Sequence, residues 1–218
     1  MSQHRPGHLL AVLLTFICCL TSAAVTGAQA QTMQQPLQSL PAGTYKLDHN
    51  HANIIFKISH LGFSNYVGRF NDFDATLELN PTAPEQSKLD ASINPDSVDT
   101  NNKTLEATLR STDYFNTLKF PTISFTATKL HQTSTNAGTM TGDLTMLGVT
   151  RPITMAVQFV GGGMNPFEKK PVIGFSAQGS LNRAVWGMTK LLPMVGADVS
   201  FEINAEFDYA GDPLDNSK

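Results

Sequence analysis

Cysteine is nearly missing from this chain of 218 residues: the two it has, Cys18 and Cys19, stand side by side near the N-terminus. Everything beyond them is free of thiols, which excludes disulfides and thiolate chemistry from the rest of the chain. Charge is sparse too. Only 15% of residues are Asp, Glu, Lys or Arg and the formal net charge is −3, so the basic excess of a nucleic-acid surface is lacking. No long apolar run follows Leu20, which leaves no candidate for a spanning helix in the body of the chain. The motifs G-x-S-x-G and H-E-x-x-H and a glycine-rich phosphate loop are absent as well.

What is present begins with a processing signal over 1–30. His4 and Arg5 give a weakly positive start, Leu9 to Leu20 form an apolar run of the length of a signal core, and Ala28-Gln29-Ala30 is a small-x-small cleavage site. Both cysteines leave with it, and the mature chain is expected in the periplasm. Residues 31–41, polar and holding Pro36 and Pro41, read as a disordered leader; 42–211 read as one domain and 212–218 as a tail.

From Gly43 the dominant period is two. Phe73, Ala75, Leu77 and Leu79 alternate with polar residues, and the pattern returns in KLDASIN, TISFTATKL, TMTGDLTML, ITMAVQFV, VIGFSAQGSL and VSFEINAEFDY. Turn residues separate these runs, among them Asn80-Pro81, Asn94-Pro95, Gly138, Gly148 and Gly161-Gly162-Gly163. About eight strands result. Only Asn101 to Arg110 reads as a helix, with Asn101 or Asn102 as N-cap and Leu105 and Leu109 on one face. One helix cannot cover a large sheet, so the apolar face must close on itself or meet a second sheet: an antiparallel barrel or sandwich.

The stretch HNHANIIFKISH, His49 to His60, holds three histidines. As a strand from about Ala52, it places Ile54, Phe56, Ile58 and His60 on an apolar face. His49 and His51 then lie on the other, and only a bulge would reunite the three around a metal, so no metal site is expected. His60 reads either as a core histidine or as the polar handle of an apolar cavity.

The chain resembles the YceI family of exported, lipocalin-like proteins that bind polyisoprenoid lipids. The resemblance is carried by Asp48, His51, Phe56 and His60-Leu61-Gly62, by Gly68 and Phe70, and by Ser97-Val98-Asp99-Thr100. It continues through Leu109 to Phe115, Phe120-Pro121-x-Ile123-x-Phe125, Gly142-Asp143-Leu144-Thr145 and Gly148-Val149-Thr150-x-Pro152. It implies an all-β, up-and-down lipocalin-like barrel of about eight strands with one short helix, holding a quinone or polyprenyl chain and doing no catalysis. Such a barrel is just wide enough to hold one elongated ligand. A ten-residue strand rises about 33 Å, and a tilt near 40° leaves about 25 Å along the axis.

The inward sets of the strands are the candidate ligand-binding residues: Phe56, Ile58 and His60; Phe73 and Leu77; Ile123 and Phe125; Leu144 and Met146; Met155 and Val157; Phe201 and Ile203. Trp186 joins them from the apolar segment 184–196, which lacks alternation and reads as a plug of one barrel end, the alternative being a portal in transient contact with membrane. No cofactor is expected beyond the lipid, and a homodimer is compatible with the sequence. Two other classes compete: an outer-membrane barrel, against which stand the polar outward positions Ser200, Glu202, Asn204, Glu206 and Asp208, and a hydrolase using His60, which needs a serine or carboxylate within reach.

The leader makes a direct prediction. Terminal sequencing of the exported protein should find Gln31 at or next to the N-terminus and the chain in the periplasmic fraction; an intact N-terminus in the membrane fraction would overturn this expectation.

Overall fold

The computed structural model describes residues 34–211, so the signal 1–30 and the tail 212–218 lie outside the described residues. Ten strands and one helix follow in order: β1 Gly43–His60, β2 Ser64–Phe70, β3 Phe73–Leu79, β4 Lys88–Ile93, β5 Val98–Asp99, α1 Lys103–Arg110, β6 Ile123–Gln132, β7 Ala137–Met146, β8 Val149–Met164, β9 Pro171–Asn182 and β10 Val195–Tyr209. Every pairing is antiparallel, and β10 pairs back onto β1 to close a ring of β1, β3, β4, β6, β7, β8, β9 and β10. The ring removes both sheet edges, as expected for a barrel.

The two remaining strands explain why alternation suggested about eight. β2 and β3 are one strand bent at Asn71-Asp72: β2 pairs with the second half of β1, β3 with its start. β4 and β5 are likewise separated by a short turn, and β5 pairs with β2. β6 pairs with β4 but not with β5, so the sheet opens between β5 and β6. Helix α1 lies in that stretch of chain. Asn102 caps it, its side chain accepting from Leu105 N–H at 3.1 Å. Arg110 fastens it to β5, donating from Nε to Asp96 O and from Nη2 to Val98 O. Glu106 is fully buried and accepts from Thr100 N–H and from Lys103 Nζ.

Residues 34–41 correct the expectation of a disordered leader. Leu37 and Leu40 are buried against Tyr45, Leu79, Phe159, Ile173 and Phe207, sealing the barrel end opposite α1. Gln35 N–H donates to Gly162 O at 2.7 Å. The Gly161-Gly162-Gly163 run, read as a loop, lies inside β8, and its lack of side chains is what seats the leader: a Cβ on Gly162 would meet Leu40 at 2.6 Å. Short apolar residues among polar ones carry no period, so only the packing reveals this closure.

A second departure lies in β1. Leu47 opposes Phe207 and Ala52 opposes Ala205, so residues 48–51 face Glu206 alone. This wide bulge reverses the parity of the strand. Before it Tyr45 and Leu47 are buried; after it Ile54 is, with Phe56 and Ile58 on the same side. Asp48 holds the bulge: one carboxylate oxygen accepts from Asn50 N–H at 2.9 Å and the other from the His51 ring at 2.6 Å.

That bond to His51 is the main reason the Asp48 carboxyl sits below its ordinary value, and it raises His51 above its ordinary 6.5. The His51 contribution to stability is therefore complete below about 6.5 and lost as pH rises through its raised folded value; that of Asp48 is lost as pH falls through its lowered one. A proton NMR titration should place the His51 midpoint above 6.5, and His51→Gln should flatten the fall in urea midpoint on the alkaline side. A midpoint at or below 6.5 would contradict the pairing.

Candidate ligand cavity

The barrel encloses a cavity of about 450 Å³. Of the fourteen residues nominated from sequence, thirteen line it: Phe56, Ile58, His60, Phe73, Leu77, Ile123, Phe125, Leu144, Met146, Met155, Val157, Phe201 and Ile203. Trp186 is the correction. It is buried and its indole N–H donates to Leu144 O at 3.2 Å, but it packs against the wall and does not face the cavity. Alternation found the strand residues because the pleat dictates them. It missed Leu105 and Leu109 of α1, Tyr114 and Phe115 of the following turn, Met188 and Leu191 of the segment before β10, and Val195 at the start of β10. A helical pair at i, i+4 was a visible signal for the first two; the loop residues had none.

The cavity stays open because of how its aromatic residues lie. Phe56 stands opposite Gly68 and Phe201 opposite Gly179, while Phe125 lies diagonal to Gly142. A Cβ on Gly68 would fall 2.3 Å from Phe56 Cζ; the corresponding distances are 2.3 Å for Gly142 with Phe125 and 2.6 Å for Gly179 with Phe201. Each ring tip therefore occupies the space above a glycine on the neighbouring strand. The rings line the wall sideways instead of meeting at the axis.

Polar groups gather at the α1 end. His60 is exposed at the mouth, close to Tyr66, whose hydroxyl donates to Thr100 O at 3.3 Å. This rules out the core-histidine reading of His60. Among the described residues the histidine side chains that hydrogen-bond are His51, to Asp48, and His131, to Glu85, so His60 has no serine or carboxylate oriented by it. The bulge anticipated for a metal does exist, yet it brings His51 to Asp48 and Glu206 on the outer face and leaves His60 at the mouth.

The segment 184–196 is organised by Arg183, a buried cation with no acidic partner among the described residues. Its guanidinium donates to four carbonyls: Gly196 at 2.8 Å, Met188 at 2.8 Å, Lys190 at 2.9 Å and Val195 at 3.0 Å. Burial lowers its pKa from the usual value. The loop so formed presents Met188 and Leu191 to the cavity, as a plug would, and exposes Val185 and Met194 outside. The outer wall of the barrel is polar, with Thr126 donating to Asp90, Thr141 bonded to Thr154 and Asn204 donating to Asn53. A lipid-facing band would be apolar there, which disfavours an outer-membrane barrel.

This closed, apolar, one-mouthed barrel matches known proteins along most of its length. The YceI-like domain family matches residues 45–207. The chain belongs to the YceI-like family. Protein YceI of Escherichia coli O17:K52:H18 is 36% identical over 170 residues, covering 77% of this chain and 88% of that protein. Among solved structures, the YceI protein of Campylobacter jejuni superposes with a TM-score of 0.62 at 32% identity, covering 71% of this chain and 91% of the other. A polyisoprenoid binding domain from Saccharophagus degradans, at 16% identity, shares the fold with a TM-score of 0.56, covering 75% and 97%.

The glycine contacts lead to a prediction. In Gly68→Ala the nearest atoms to the new methyl all belong to the Phe56 ring, so the ring must swing into the cavity, an overpacking worth about 1–3 kcal/mol. Binding of a long apolar probe should weaken in Gly68→Ala and recover when Phe56→Leu is added. Failure of the second change to restore binding would show that the ring is not what keeps the space open.

Proposed function

We propose that this protein is a periplasmic carrier that holds one long isoprenoid-type chain, a quinone tail or polyprenyl chain, inside the barrel, and that it binds without turning its ligand over. The observation that carries this reading is the cavity: walls of Phe, Leu, Ile and Met, a sealed end, and polar side chains concentrated at the mouth. That the Saccharophagus degradans protein of the same fold is a polyisoprenoid binding domain supports the ligand class. An isoprenoid suits the site because its methyl-branched chain offers apolar area along its whole length and only its head needs polar company. At roughly 0.8 kcal/mol per buried methylene, about twenty carbons contribute about 16 kcal/mol before the 4–15 kcal/mol cost of immobilisation. About 1–12 kcal/mol then remains, and micromolar binding, about 8 kcal/mol, is reached where immobilisation costs less than about 8 kcal/mol.

The mouth assigns the head. His60 offers a ring nitrogen beside the opening, whose N–H suits a quinone carbonyl or a phosphate oxygen, while the Tyr66 O–H is engaged by Thr100 O. The signal read over 1–30 supports export. For catalysis a base would need an oriented partner, and His60 lacks one among the described residues.

Native mass spectrometry of protein exported in a bacterial host should find the chain carrying one lipid, extractable and of isoprenoid mass spacing. Phe125→Asp, which puts a carboxylate into the cavity wall, should abolish the adduct, whereas Thr126→Asn on the outer face should keep it. Bare protein from wild type, or equal loss in both variants with folding intact by circular dichroism, would refute the carrier reading.

A further inference from the structure

The two ends of the barrel differ in a way the cavity does not require. Around the open end, large apolar side chains stand in solvent: Phe63 and Leu61 in the β1–β2 turn, Leu118 in the turn before β6, and Leu191, Met194 and Val185 in the segment before β10. Phe63 is 87% exposed and Leu118 99%, so neither is serving a core. These elements are tied into one rim. Leu61 N–H donates to Met194 O at 2.8 Å, Lys190 pairs with Asp113 at 3.0 Å, and Phe120, two residues after Leu118, packs against Gly148 of the β7–β8 turn. Scattered exposed apolar residues need no explanation, but several gathered on the rim of an opening do.

The charges of that rim select the partner. Lys119, next to Leu118, stands over the Phe120 ring at 5.1 Å, and Arg151 is exposed next to the β7–β8 turn; neither forms an ion pair among the described residues. Cations left unpaired beside exposed apolar residues, in a chain whose net charge is −3, match an anionic bilayer surface. The sealed end is the internal comparison. It also exposes Phe167 and Met164, but there the charges of Glu168 and Asp208, both paired with Lys170, cancel those of Lys169 and Lys170.

We infer that the protein docks mouth-down on anionic membrane through the Phe63–Leu118–Met194 rim, with Lys119 and Arg151 at the lipid phosphates, so that an isoprenoid chain passes between bilayer and barrel without crossing water. The inference rests on the carrier reading for its purpose, though not for its test. Docking needs no covalent anchor and is reversible, since a few side chains entering the headgroup layer bind only weakly.

Sedimentation of the mature chain with phosphatidylcholine vesicles, with and without phosphatidylglycerol, reads docking directly. Wild type should sediment with the anionic vesicles and less with the neutral ones. Phe63→Ser with Leu118→Ser should reduce the partition by about tenfold, and Lys119→Ala with Arg151→Ala by about fivefold per cation, with a weaker salt dependence. Phe167→Ser, equally exposed at the other end, should change nothing. All five side chains lie at the surface, so folding is retained. Wild type that stays in the supernatant with anionic vesicles, or a Phe167→Ser loss equal to that of the rim variant, would overturn the proposal. Farnesol binding in solution, followed separately, tests the carrier reading: if it fails while vesicles are bound, the cavity reading falls and the docking stands.

Discussion

The phenylalanine rings at positions 56, 125 and 201 lie down over glycines, and the hollow barrel depends on it. An eight-strand ring is narrow enough for large inward side chains to meet at the axis and fill it. Three glycines on neighbouring strands give the rings a place to lie flat, and the wall thereby becomes a continuous aromatic and aliphatic lining with space left inside. The cost of an unfilled apolar space is lost dispersion. A ligand chain restores those contacts, so the empty barrel is the higher-energy partner in its own binding equilibrium.

The strands also show what period-two reading reaches and where it stops. The nominated inward residues of β3, β6, β7, β8 and β10 were legible because each lies in a stretch paired without a register shift, Ile123 and Phe125 before the one in β6 and Met155 and Val157 before the one in β8. In β1 the reading from Ala52 onward held, but it could not see that four residues would face Glu206 alone, nor that Tyr45 and Leu47 would point inward on the opposite parity. A bulge is fixed by pairing across strands, which one strand's sequence does not display. The leader escaped for a related reason: Leu37 and Leu40 are two apolar residues in a polar context, and their burial depends on glycines more than a hundred positions away.

The candidate site was legible in proportion to its regularity. Wall residues came from alternation, whereas the helix face was not nominated although the pair Leu105 and Leu109 marked it. Trp186 was misassigned because an aromatic residue in an apolar, non-alternating segment was read as facing the ligand, when its indole N–H instead found a carbonyl of β7 in the wall. Arg183 was missed altogether. A lone arginine beside an apolar run carries no motif, and its role arises only when the chain turns back and presents four carbonyls to it.

That arginine makes the mouth mechanically unequal. A guanidinium held by carbonyls, with no carboxylate paired to it among the described residues, cannot be half released: losing one carbonyl leaves a buried positive charge short of a partner, and losing all of them strands it beside an apolar cavity. The Arg183 loop therefore behaves as a fixed jamb. The compliant side is the one where β5 and β6 are unpaired and α1 fills the gap, held chiefly by Arg110 and Glu106. A lipid tail wider than the resting opening would be admitted on the helix side, with the barrel ring itself undisturbed.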